Sequence, residues 1–117
     1  MHELSICQAL LDEVAQVARE QEAQRVLSVT VRIGPLSGVE PGLLESAYPL
    51  ASAGTPATGS KLIIERSALR VRCRECGAEC EVESTSVLCT QCGHWRVQVL
   101  SGEELLLVRV ELEKENG

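Results

Sequence analysis

Six cysteines and two histidines carry most of the metal chemistry this chain can offer. Four of the cysteines fall in two matching hooks, Cys73-Arg74-Glu75-Cys76-Gly77 and Cys89-Thr90-Gln91-Cys92-Gly93. Each Cys-x-x-Cys turn can aim two thiolates at one centre, and the following glycine lets the backbone bend so that amide N–H groups face the sulfurs. Twelve residues separate the hooks, enough for a short hairpin to bring them together. Four sulfurs fill a tetrahedral zinc sphere and leave no position for water, which is the chemistry of a structural site. Disulfide pairing is the competing use. Met1-His2-Glu3 lacks a basic start, an unbroken apolar core and a cleavage site, so the expected compartment is the cytoplasm, where thiols stay reduced. A redox hook would require a strand-to-helix turn of a larger parallel sheet, whereas both hooks here lie in polar segments.

The amino terminus is a second constellation. The Met1 α-amine and a deprotonated His2 amide close one chelate ring, and that amide with the His2 imidazole closes the next. Three coplanar nitrogens suit nickel(II) or copper(II). The bulk of His2 should keep the initiator methionine in place. A fourth donor could be the amide or carboxylate of Glu3, or a residue the fold brings near; Glu40 is a candidate neighbour if the two helices pack side by side. The residues alone leave open a terminus that is simply solvated. His94, just past the second hook, can be a surface residue, a hydrogen-bond donor behind the zinc ligands, or a metal contact. Cys7, on the apolar face of a helix, reads as a small core residue.

A chain of 117 residues can hold one modest core and a small metal-stabilised lobe, but not two full domains. With no Phe, one Trp and one Tyr, that core must be aliphatic. The formal charge is −6 with neutral thiols; four thiolates and one divalent ion bring it to about −8. Zinc ribbons that bind nucleic acid use a basic face and stacking aromatics. Here Glu75, Glu79, Glu81 and Glu83 offset Arg70, Arg72 and Arg74, so metal ions and proteins are the expected partners, not nucleic acid. No stretch approaches the roughly 18 apolar residues of a membrane span. No phosphate loop, nucleophile elbow or catalytic carboxylate pair is present, so no enzymatic activity is expected.

The elements that must position these groups follow from periodicity. Residues 3 to 20 repeat Leu4, Cys7, Leu11, Val14 and Ala18 at helical spacing, opposite Gln8, Asp12, Gln16 and Arg19. Leu27, Val29, Val31 and Ile33 alternate with polar residues as a half-buried strand does, and Gly34-Pro35 ends it. Pro41 suits the first turn of a second helix with Leu44, Ala47, Tyr48 and Ala51 on one face, stopped at Gly54. Residues 55 to 60 read as a linker, residues 61 to 66 as a strand. Leu69 to Arg72 leads into the cysteine segment and Trp95 to Val99 leads out, before a turn at Ser101-Gly102-Glu103-Glu104 and a long closing strand. Residues 113 to 117 read as a frayed tail. The expected fold is α+β: a small three-stranded sheet covered by two helices, with an inserted four-cysteine, zinc-ribbon-like lobe. The expected organisation is an α+β domain from 1–68 and 99–117 and a zinc-binding lobe from 69–98.

Taken together, Met1-His2-Glu3-Leu4-Ser5, Ile33-Gly34-Pro35-Leu36-Ser37, Val39-Glu40-Pro41, Gly54-Thr55, Gly59, the two hooks and Ser101-Gly102-Glu103-Glu104-Leu105 resemble the HypA/HybF family of hydrogenase maturation factors. The resemblance spans essentially the whole chain, and the order of the pieces is more specific than any one of them. It implies a non-enzymatic nickel metallochaperone that receives nickel at its amino terminus and delivers it, with a HypB-type GTPase, to the large subunit of [NiFe]-hydrogenase. Carried over position by position, His2 is the essential nickel ligand, Met1 and Glu3 contribute nitrogen ligands, and Glu40 falls where some members place an acidic residue near the nickel. Cys73, Cys76, Cys89 and Cys92 become the ligands of structural zinc, while nickel is transient cargo. Cys80 has no counterpart in the pattern, and aromatics are few in the second helix and strand. The competing readings are a zinc-ribbon protein- or nucleic-acid-interaction module without nickel function, and a thiol oxidoreductase, which would need an exposed low-pKa cysteine.

Overall fold

The computed structural model describes residues 2 to 114, with side chains from Glu3 onward. It comprises α1 (His2–Glu20), β1 (Ala23–Ile33), α2 (Pro41–Ser52), β2 (Lys61–Arg66), β3 (Leu69–Cys73), β4 (Glu79–Val82), β5 (Val97–Ser101) and β6 (Leu105–Lys114). The chain forms two compact units: the described residues up to Val31, Glu40–Glu65 and those from Leu106 onward make one, and Arg32–Val39 with Arg66–Leu105 make the other. No helix among the described residues is long and apolar enough to cross a membrane.

In the first unit, three strands in the order β2-β1-β6 accompany the two helices. The helical repeat of α1 buries Cys7, Leu10, Leu11, Val14 and Ala18, each large apolar side chain contributing about 1.5–3 kcal/mol. α2 begins as its sequence dictates. Pro41 fills the first turn, where a missing N–H costs nothing, and Glu40 is the N-cap, its carboxylate accepting from the Gly42 amide at 3.4 Å. The helix then buries Leu44, Tyr48 and Ser52, one turn apart. The Cys7 thiol meets the Leu44 carbonyl at 3.7 Å, so α1 and α2 are in direct contact. Burial, and then the charge of Glu3, push the Cys7 thiol up; it is a core residue, as its position on the apolar face implied.

Three sequence expectations for this unit are revised. β1 is the central strand of its sheet, and Ser28 and Thr30 are buried along with Val29 and Val31, so the strand is covered on both faces instead of one. Among the described residues the Thr30 hydroxyl has no hydrogen-bond partner. Residues 55 to 60 are a packed chain of turns instead of a free linker. The Thr55 and Thr58 hydroxyls donate to the Ser52 carbonyl at 2.7 and 3.0 Å, Ala57 is buried, and Val26 N–H donates to the Pro56 carbonyl at 3.0 Å. Glu113 and Lys114 belong to β6 and are tied down by Arg25 at 3.1 Å and Gln21 at 3.2 Å; the rest of the expected tail lies outside the described residues.

The second unit is built on the sheet β4-β3-β5, antiparallel throughout. Its small core is Leu69, Val71 and Cys80, with Val82, Val87, Val97 and Val99 packed against it. The sequence signalled β3 and β5, but the four residues of β4 were too short and too charged to stand out. Residues 32 to 39 join this unit: Gly34 N–H donates to the Glu104 carbonyl at 2.8 Å, Leu36 N–H to the Gly102 carbonyl at 2.7 Å, and Ser67 N–H to the Ile33 carbonyl at 3.0 Å. A Cβ at Gly34 would stand 2.1 Å from the Gly102 oxygen. Gly34 is therefore required by a backbone crossing.

Candidate metal centre

Both hooks fold by the same local rules. Gly77 and Gly93 adopt φ +75° and +76°, left-handed conformations that glycine enters without steric cost. Gly77 N–H then donates to the Cys73 carbonyl at 3.0 Å, and Gly93 N–H to the Cys89 carbonyl at 2.8 Å. Each turn points two amides at its first sulfur. Cys73 Sγ accepts from Glu75 and Cys76 at 3.4 and 3.5 Å; Cys89 Sγ accepts from Gln91 and Cys92 at the same two distances. Cys73 N–H donates to the Ala78 carbonyl at 2.8 Å and Cys89 N–H to the His94 carbonyl at 2.9 Å, while Arg74 N–H donates to the Arg96 carbonyl at 2.9 Å and laces the hooks together.

The four sulfurs meet in one cluster, all within 4.8 Å of one another. Cys73 and Cys92 are 3.6 Å apart, as are Cys76 and Cys89. A zinc ion with Zn–S bonds near 2.3 Å sets tetrahedral sulfurs about 3.8 Å apart, whereas a disulfide requires about 2.05 Å. All six cysteines are free thiols. The donor set fits a four-coordinate thiophilic ion such as zinc. Cys73 and Cys89 are buried on the inner side and Cys76 and Cys92 are exposed.

The electrostatics make the same point. Amide donation from Cys76, and then from Glu75, lowers Cys73, and donation from Cys92 and Gln91 brings Cys89 down to about 6. The other two go the opposite way. Donation from the Ala78 amide favours the Cys76 thiolate, but the neighbouring Cys89 sulfur, burial and Cys73 outweigh it and raise the group. Cys92, helped by the His94 amide, is still pushed up to about 12 by Cys73, burial and the other two sulfurs. Four thiolates this close repel one another unless a cation neutralises them. When bound, the ion supplies that neutralisation and fixes the two hooks.

The remaining sequence candidates are placed as follows. Cys7 and Cys80 lie outside the cluster. His94 is not among its ligands: Nδ1 accepts from the Arg96 amide at 3.0 Å, Nε2 faces the Glu75 carboxylate at 3.9 Å, and the ring stacks on Trp95. The indole is 67 % exposed and carries the Arg96 guanidinium 5.3 Å from its centroid. Trp95 and Arg96 had no motif to mark them. Glu3 is half-buried and shares a surface depression with Leu4, Leu43, Ser46, Ala47 and Leu50. Glu40 is exposed and engaged in capping α2. Met1 and the His2 side chain, the heart of the amino-terminal chelate, lie outside the described residues.

An α+β unit with two packed helices, joined to a four-cysteine lobe of matched hooks, defines a small metal-binding protein. A family model for hydrogenase/urease nickel incorporation, the metallochaperone HypA, matches residues 1–112. The chain belongs to the HypA family, which comprises metallochaperones and not enzymes. It is 55% identical over 112 residues to the hydrogenase maturation factor HypA of Nitrosospira multiformis, covering 96% of this chain and 97% of that one. It is 45% identical over 113 residues to the factor of the same name from Aquifex aeolicus, covering 97% and 98%. In fold it is similar to a solution structure of a HypA protein (TM-score 0.73, 23% identity, 98% of each chain) and to that of the nickel metallochaperone HypA from Helicobacter pylori (TM-score 0.68, 22% identity, 97% of this chain and 98% of that one).

Proposed function

We propose that this protein binds nickel(II) at its amino terminus and delivers it, together with a HypB-type GTPase, to the large subunit of [NiFe]-hydrogenase in the cytoplasm. The observation that carries this reading is the family match across residues 1–112, in a chain that begins Met1-His2-Glu3. Nickel is the cargo, held by the Met1 amine, the His2 amide and imidazole, and a Glu3 donor, with Glu40 as a candidate further contact. Cys73, Cys76, Cys89 and Cys92 hold structural zinc. In this reading residues 1–68 and 99–117 are the nickel-binding domain and 69–98 the zinc lobe.

The division is chemically sound. Thiolates close a site that retains its ion, while nitrogen donors at a terminus form an open planar set that can exchange. Amide ligation requires proton loss, so nickel affinity falls as pH drops. Calorimetric nickel titration of the protein with its native terminus, a form extended before Met1, and His2→Ala tests the assignment. Both altered forms should lose specific nickel binding with zinc content unchanged. Undiminished affinity in His2→Ala would place nickel elsewhere.

A further inference from the structure

α2 carries two stripes at helical spacing. Leu44, Tyr48 and Ser52 are buried in the core. The second stripe, Leu43, Ser46, Ala47 and Leu50, follows the i, i+3, i+4, i+7 pattern of a single helix face, yet Leu43 is 54 % and Leu50 73 % exposed. A surface helix ordinarily turns polar residues outward, so a second, largely apolar face calls for a cover. This face forms one side of a surface depression whose other side is Glu3 and Leu4, in the first turn of α1. The depression therefore opens where the described chain begins.

We propose that the Met1 side chain seats in this depression against Leu4, Leu43 and Leu50, and by doing so fixes the position of its own α-amine for nickel. The inference rests on the amino-terminal nickel reading above and adds a positioning role for the Met1 side chain. Three features select this occupant. α1 starts at His2, so Met1 flanks the first helical position and Leu4 is the third within it; a side chain at the flanking position reaches back over the third. The methionine thioether is unbranched and flexible, the shape that fills irregular apolar gaps. Met1 is also only one residue removed from Glu3 in the wall, and so short a tether holds it there at an effective concentration of roughly millimolar or above.

The seat supplies what the helix does not. The His2 and Glu3 amides lie in the first turn, whose N–H groups have no acceptor within the helix, so a metal ion can displace their protons without breaking the helical ladder. Their positions are set by α1. The amine lies beyond that scaffold and swings about the Met1 backbone unless the side chain is held. A held side chain leaves less freedom to lose when the chelate closes, which strengthens nickel binding.

The chain has a single methionine, so zinc-loaded, nickel-free full-length protein grown with [methyl-13C]methionine gives one labelled methyl signal. That signal should show cross-peaks to the methyl groups of Leu4, Leu43 and Leu50. In calorimetric nickel titration, Leu43→Ser and Leu50→Ser should each weaken binding roughly three- to tenfold, with zinc and helix content unchanged. Leu43→Met should restore affinity, and Leu106→Ser, at a leucine of similar exposure on β6, should leave it unaltered. A methionine signal at its free-peptide position without cross-peaks would overturn the proposal. So would leucine signals that move with protein concentration while the methionine signal does not, because the depression would then be filled from a second molecule. Cross-peaks combined with full nickel affinity in both serine variants would overturn the positioning role. Absence of specific nickel binding in the unaltered protein would instead refute the amino-terminal nickel assignment, and the cross-peaks alone would still decide whether Met1 is seated.

Discussion

Replacing Gly34 with alanine adds one carbon where the backbone of Gly102 already stands. The new Cβ would lie 2.1 Å from the Gly102 oxygen, 2.3 Å from its carbonyl carbon and 2.8 Å from its Cα, all below the 3.0 Å that real Cβ contacts respect. Nothing flexible can move aside, because all three atoms are main chain. Gly102 cannot simply retreat either. It is itself held against Leu69, with φ +122° and an ideal Cβ position 2.9 Å from the Leu69 side chain. The segments must separate, weakening the 2.7 Å bond from Leu36 N–H to the Gly102 carbonyl and the 2.8 Å bond from Gly34 N–H to the Glu104 carbonyl. Two backbone hydrogen bonds at about 1 kcal/mol each and about 1–3 kcal/mol of overpacking make a loss of about 3–5 kcal/mol. Gly42→Ala is the control, since an added Cβ meets only the Glu40 carboxylate at 3.7 Å and a helix prefers alanine; it should gain about 0.5–1 kcal/mol. Urea unfolding followed by circular dichroism, at fixed zinc, measures both. A loss below about 1 kcal/mol for Gly34→Ala would show that the crossing is not the constraint it is taken to be.

Serine in place of Cys73, Cys76, Cys89 or Cys92 should abolish stoichiometric zinc binding, while Cys7→Ser and Cys80→Ser keep it; metal analysis of all six decides, and full zinc after loss of any cluster cysteine refutes the site. Zinc loading at pH 7 should release at least two protons, because Cys76 is raised and Cys92 is pushed up to about 12 without metal; since bound thiols must be deprotonated, affinity falls as pH drops, and calorimetry in buffers of different ionisation enthalpy counts the protons. Thr30→Val removes a hydroxyl buried to 1 % exposure that has no partner among the described residues, and should stabilise the fold by about 1–2 kcal/mol in the same urea assay.

The sequence by itself determined the two helices, β1, β2 and the paired hooks, because each carries its own local signal: a 3.6-residue or two-residue period, a proline at a helix start, a glycine after each second cysteine. Cys-x-x-Cys is a short-range motif whose turn geometry is set within five residues, so the grouping of four sulfurs was legible before any tertiary contact was known. What only the tertiary structure decided depends on which chain segments pass close to each other. Alternation cannot distinguish a strand with one covered face from a central strand covered on both, so the burial of Ser28 and Thr30 was not readable. Nor could composition show that Thr55 to Ser60 packs through its hydroxyls on the end of α2. Gly34 looked like a strand terminator; its need for a bare Cα comes from Gly102, 68 positions away in the chain. His94 illustrates the same limit from the other side. Its distance from the hook permitted ligation, and only the fold, by spending Nδ1 on the Arg96 amide and turning Nε2 toward Glu75, assigned it elsewhere.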